Sequence, residues 1–211
     1  MIISHSHKFI YFHAPKTAGT SVQNFLWSLC DQDIKAPYVA EVGYENLETK
    51  LYNHSNVAFI EKYYRDIYNE YFLIGNIRNP WDRQVSTYFF NKHLATIKVW
   101  MDNIKSEYPD YNENESFEYY IERNSKAARM ASLVKFYNNT RLDFFIRFES
   151  LEQDLRSLLN LLQINKPLLL GHSKKVKWRK YTDYKKYYNQ TTKKIVEEKY
   201  WDDIKAFGYT F

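Results

Sequence analysis

One cysteine in 211 residues, Cys30, excludes an internal disulfide framework and a thiolate metal cluster, a pattern that suits a reducing compartment. That residue is also a poor nucleophile candidate. It falls on the apolar face of an expected helix with Val22, Phe25, Leu26 and Leu29, where a free thiol packs as a small hydrophobe. Long apolar runs are missing as well: nothing approaches the roughly 18 consecutive residues that a membrane-spanning helix requires. The first strand-like segment, "KFIYFH", begins within ten residues of Met1, which leaves no space for a basic n-region followed by an apolar h-region. The expectation is a cytoplasmic protein without signal peptide or transmembrane anchor. Internal repeats and low-complexity linkers are also lacking, so residues 1–211 are expected to form a single domain.

What is present argues for a packed core. The chain is 45% hydrophobic and 18% aromatic, too apolar for disorder, and its length suits one α/β domain that buries roughly 70% of its unfolded surface. A formal net charge of +5 favours anionic partners such as phosphates, nucleic acid or acidic glycans.

Periodicity orders the elements. "KFIYFH" reads as a buried strand, residues 20–30 repeat apolar groups at helical spacing, 57–69 reads as a helix, and "YFLIGNI" at 71–77 is a second apolar strand. A helix is expected from about Pro80 and another at "FEYYIERN", after the polar stretch "KSEYPDYNENES". "DFFIRF" at 143–148 is a third strand, and "SLEQDLRSLLNLLQI" is an amphipathic helix with Leu151, Leu155, Leu158, Leu159 and Leu162 on one side. The tail, "TTKKIVEEKYWDDIKAFGYTF", starts with threonine caps and stops at Gly208. Alternating strands and helices predict an α/β fold whose mainly parallel sheet is covered on both faces, with ligands at the carboxyl ends of the strands.

The first such end carries "HAPKTAGTS". A loop between a strand and a helix N-terminus presents free backbone N–H groups in a positive potential, which suits an anion. Pro15 stiffens its entry, Gly19 permits close backbone approach, Thr17, Thr20 and Ser21 offer hydroxyls, and Lys16 supplies a point charge. The lysine precedes the only glycine of the loop, which is the wrong order for the ATP-binding G-x-x-x-x-G-K-[ST], and no clear Walker-B acid follows.

The second end carries "IRNPWDRQVSTY". Asn79 as N-cap, Pro80 at N1 and Asp82 at N3 form a helix start. Capping leaves Arg78 unexplained; it emerges where a guanidinium can pair bidentately with a phosphate. Ser86 lies one turn beyond Asp82 and Arg83 on the same helix face, within reach of an anion held by Arg78.

Together these stretches resemble the 5'-phosphosulfate loop and the 3'-phosphate motif of sulfotransferases that use 3'-phosphoadenosine 5'-phosphosulfate (PAPS), especially the carbohydrate branch. "NESFEYYIERN", "DFFIRFESLEQDL" and the closing "FGYTF" are similar to later family segments, so the resemblance covers nearly the whole chain. It implies a P-loop-like three-layer sandwich, a central mainly parallel sheet flanked by helices. It further implies sulfuryl transfer from PAPS to a carbohydrate hydroxyl, with the bisphosphate product PAP and no metal. Lys16 would neutralise the leaving 5'-phosphate, cradled by Pro15, Thr17, Ala18, Gly19, Thr20 and Ser21, and Arg78 with Ser86 would hold the 3'-phosphate.

Within the same resemblance His54 is chosen as the base, its ordinary pKa near 6.5 suiting proton abstraction at neutral pH. The branch often shows His-Leu/Ala-Thr there, whereas this chain has Ser55-Asn56 after the histidine; Glu41 and Glu45 are the fallback carboxylates. His13 is either a ligand contact or a packed side chain, and His5 with His7 lacks further ligands at metal-site spacing. The basic, tyrosine-rich "HSKKVKWRKYTDYKKYY" reads as a solvated face, as a single-strand nucleic-acid binder, or, by the resemblance, as a loop bringing Ser173, Lys174 or Lys177 to the 3'-phosphate or an acidic glycan. No stable nucleic-acid partner is expected. Two other classes stay open: a nucleotide or sugar kinase with an atypical phosphate loop, and a non-catalytic nucleotide or nucleic-acid binder.

Overall fold

A computed structural model describes residues 1–30, 57–96, 112, 114–125, 132–138, 142–170 and 179–211. The chain divides into two compact units, Met1–Arg78 with Leu133–Ser173 and Asn79–Ser132 with Lys174–Phe211.

The first unit is built on a four-stranded sheet in the order β1 (Ile2–Ser4), β2 (Phe9–Phe12), β3 (Phe72–Ile77), β4 (Phe144–Arg147). β2, β3 and β4 are parallel, with Tyr11 opposite Ile74 and Ile77 opposite Arg147. β1 is antiparallel to β2, with Ile3 opposite Ile10. The three parallel strands correspond to the three apolar runs in the sequence. Every residue of β2 is buried, as expected for a strand covered on both faces. Successive side chains point to opposite faces. Phe9, Tyr11, Ile74 and Ile146 therefore share one face, packed against Val22, Phe25 and Leu26 of α1 (Gly19–Trp27) and against Leu155, Leu158 and Leu159 of a later helix, Leu151–Leu161. On the other face Gly75 leaves a gap that Tyr137 fills: a Cβ at Gly75 would lie 2.8 Å from that ring, and the Tyr137 hydroxyl donates to the Asn76 carbonyl at 2.6 Å. This is the expected α/β arrangement, with a P-loop-like strand, loop and helix at β2 and α1.

Several boundaries differ from expectation. β1 is three residues long, too short to show a period. The helix expected over 57–69 is two, α2 (Val57–Tyr63) and α3 (Arg65–Glu70), parted at Tyr64, whose ψ is 41°. No Gly or Pro marks that break. α1 stops at Trp27, and Cys30 is half-buried, its thiol donating to the Leu26 carbonyl at 3.5 Å.

The second unit packs α4 (Pro80–Ala95), α5 (Phe117–Ser125) and the two C-terminal helices around an aromatic core of Trp81, Tyr88, Phe89, Phe117, Tyr120 and Tyr200. The first unit also contains α6 (Leu133–Phe136) and, after β4, the amphipathic α7 (Leu151–Leu161) already met above. α8 (Gln190–Lys199) and α9 (Trp201–Phe207) are separated at Tyr200, and Gly208 ends α9 in the left-handed region at φ 68°. The cap of α8 is Asn189 rather than a threonine: its side chain accepts from Thr192 N–H while the Thr192 hydroxyl accepts from Asn189 N–H. Among the described residues no helix is long and apolar enough to cross a membrane.

Candidate functional site

The loop from His13 to Ala18 joins β2 to α1. Lys16 and Ala18 have φ of 65° and 66°, and Thr17 between them does not share this sign. Alternating handedness of this kind turns successive amides into one concavity, a nest for an anion. Left-handed backbone at non-glycine residues costs roughly 1–3 kcal/mol each and persists only where neighbours enforce it. Here the enforcement is visible on the carbonyl side. The Thr17 hydroxyl donates to the Ala14 carbonyl at 2.8 Å, Arg78 Nη1 to the Lys16 carbonyl at 3.2 Å, Asn76 Nδ2 to the Thr17 carbonyl at 3.4 Å, and the Tyr11 hydroxyl to the Gly19 carbonyl at 3.3 Å.

Two expectations about this loop change. The fully buried Thr17 side chain is engaged inside the loop instead of being presented as a donor. The Ser21 amide bonds the Ala18 carbonyl at 3.0 Å as the first intrahelical link of α1, so of Ser21 only the hydroxyl belongs to the proposed cradle. Pro15, Lys16, Ala18, Thr20 and Ser21 are half-buried, and the first turn of α1 contains no acidic residue to offset the positive end of its dipole.

Gly19 is explained by a neighbour. Its backbone is not left-handed, but a Cβ there would run into the imidazole of His13. His13 is buried, its Nδ1 pairs with Gln23 Oε1 at 2.5 Å, and its ring stacks on Tyr11. It is a packed side chain supporting the loop. Burial pushes the Tyr11 phenol well above its ordinary pKa, with Tyr137 adding to the shift, so Tyr11 stays neutral and keeps donating to the loop.

Arg78 follows β3 directly and is buried, its guanidinium carbon 3.6 Å from the centroid of the Phe148 ring. Asn79 then caps α4 as expected, its Oδ1 accepting from Trp81 and Asp82 amides at 3.0 and 3.4 Å, with Pro80 at N1. Asp82 has a further role, receiving Arg179 Nη2 at 2.8 Å. The division between units falls after Arg78, and Ser86 is a half-buried residue of α4 in the second.

Asn76, Tyr11 and Phe148 are loop supports that motif reading misses. Asn76 did carry a signal, as the one polar side chain in an apolar strand; it is fully buried, and its Oδ1 has no hydrogen-bond partner among the described residues. His54, Glu41, Glu45, Ser173, Lys174 and Lys177 lie outside the described residues. His5 pairs with the Tyr71 hydroxyl at 2.6 Å, and among the described residues no group of three His, Cys, Asp or Glu side chains could hold a metal.

The model of the sulfotransferase family matches residues 1–210. No curated protein and no solved structure matches the chain.

Proposed function

The chain belongs to the sulfotransferase family, and from that premise we propose that it transfers the sulfuryl group of PAPS to a carbohydrate hydroxyl by in-line displacement, acting as one domain in the cytoplasm. The observation that carries this reading is the pre-set loop: the carbonyls at Ala14, Lys16, Thr17 and Gly19 are all tied to protein donors, which holds the left-handed turns at Lys16 and Ala18 in the nest form that suits an anion. When bound, PAPS supplies the sulfuryl group and a phosphate leaving group.

The chain's own residues then have distinct tasks. Pro15 stiffens the entry to the loop, and the amides of Thr17, Ala18, Gly19 and Thr20, with the Thr20 and Ser21 hydroxyls, bind the 5'-phosphate. Lys16 stabilises the charge that develops there as the bond to sulfur breaks, a use of fixed positive charge typically worth 10²- to 10³-fold in rate. Arg78 and Ser86 bind the 3'-phosphate, helped by Ser173, Lys174 or Lys177, and so select PAPS over ATP. His54 takes the acceptor proton, with Glu41 or Glu45 as the alternative base.

Incubation with sulfur-labelled PAPS and a panel of neutral and acidic glycans tests the proposal. Label should enter a glycan, and Lys16→Ala should lower the turnover about 100-fold or more. Absence of transfer to every glycan, or full activity of Lys16→Ala, contradicts it.

A further inference from the structure

We infer that Phe148 is a positioning residue for Arg78: its ring is a platform that fixes the guanidinium plane for a 3'-phosphate. This inference rests on the PAPS reading above. The sheet register creates the pairing. Ile77 of β3 lies opposite Arg147 of β4 in the last parallel rung, so the residues that leave the sheet next, Arg78 and Phe148, come side by side. The turn that carries the ring is tied down on both sides of Phe148. Asp154 of α7 accepts from the Arg147 amide at 2.7 Å and from the Ser150 hydroxyl at 3.0 Å, which closes the 3-10 turn Phe148–Ser150 onto the helix.

The guanidinium carbon stands 3.6 Å from the ring centroid, the separation of a face-on stack in van der Waals contact. Stacking suits a planar, weakly hydrated guanidinium and closes one of its faces, so that a ligand must approach it along the N–H edge. Nη1 already donates to the Lys16 carbonyl, which fixes rotation within the plane. Ring and carbonyl together set both the tilt and the turn of the fork, and bidentate phosphate binding is sensitive to each. A long side chain that is held in this way loses less freedom when it binds. Phe148 itself offers no hydrogen bond to a ligand, and the contact that assigns it a part in phosphate binding is the one with Arg78.

Titration calorimetry of the full chain with adenosine 3',5'-bisphosphate separates this role from ordinary packing. Phe148→Ala should weaken binding about tenfold, Phe148→Tyr and Phe148→Trp should stay within about threefold of the parent, and Phe148→Leu, which fills space without a π-face, should resemble Phe148→Ala. In an Arg78→Lys background, where no planar fork is left to orient, Phe148→Ala should cost less than twofold. Full affinity of Phe148→Ala or of Phe148→Leu, or an undiminished loss in the Arg78→Lys background, overturns the inference while the PAPS reading stands. A parent protein that does not bind the bisphosphate overturns both.

Discussion

Gly19 shows how one residue can be fixed by the packing of a neighbour. The His13 ring occupies the space a Cβ would need, and it is held there by Gln23 and by stacking on Tyr11. Because the obstacle is a buried ring and not the flexible end of a side chain, Gly19→Ala should lower the unfolding free energy by about 1–3 kcal/mol, the usual cost of overpacking. Denaturant titration measures it. Removing the obstacle in Gly19→Ala with His13→Ala should cost less than the sum of the single changes, since residues in contact couple; strict additivity would show that the ring is not the cause. At this scale the loop was legible because its chemistry is local: Pro15, Lys16, Gly19 and Thr20 are adjacent in the chain. The grip of Asn76 and Arg78 on the loop carbonyls, and of Phe148 on Arg78, was not legible, because it depends on the register of strands far apart in sequence.

At the scale of elements, the start of α4 is held by a single side chain. Asn79 accepts two amides of the first turn, and its Nδ2 donates to the Tyr184 hydroxyl at 3.3 Å and to the Thr210 carbonyl at 3.0 Å. Asn79→Ala should therefore destabilise by about 2 kcal/mol, the upper end for a lost cap, whereas Asn79→Asp should keep the cap and lose only the Nδ2 donors, giving a smaller shift. Thermal unfolding of the two variants distinguishes them, and equal losses would contradict a capping role. The three parallel strands and the helix starting at Pro80 were readable because each coincides with a strong local signal: an apolar run for the strands, an Asn-Pro-x-Asp start for the helix. β1 was not, being shorter than a period can reveal, and the breaks at Tyr64 and Tyr200 occur where helical spacing continues without Gly or Pro.

For the molecule as a whole, two compact units each have a core of their own, one around the sheet and one built from aromatic rings on α4, α5, α8 and α9. Fold class followed from the alternation of elements, while the division after Arg78 left no trace in composition, since no Gly-, Pro- or Ser-rich linker marks it. The proposed donor site draws its phosphate ligands from this chain's two anion motifs, and its selectivity depends on the 3'-phosphate. Titration calorimetry with adenosine 3',5'-bisphosphate, with ATP and magnesium as control and with Lys16→Ala and Arg78→Ala beside the parent protein, tests that claim most directly. Charge-assisted contacts of about 1.5–3 kcal/mol each predict that the bisphosphate binds in preference to ATP and that Arg78→Ala weakens it roughly tenfold to a hundredfold, with Lys16→Ala also weakened. Failure of the bisphosphate to bind, or equal binding by the parent and both variants, would contradict the account.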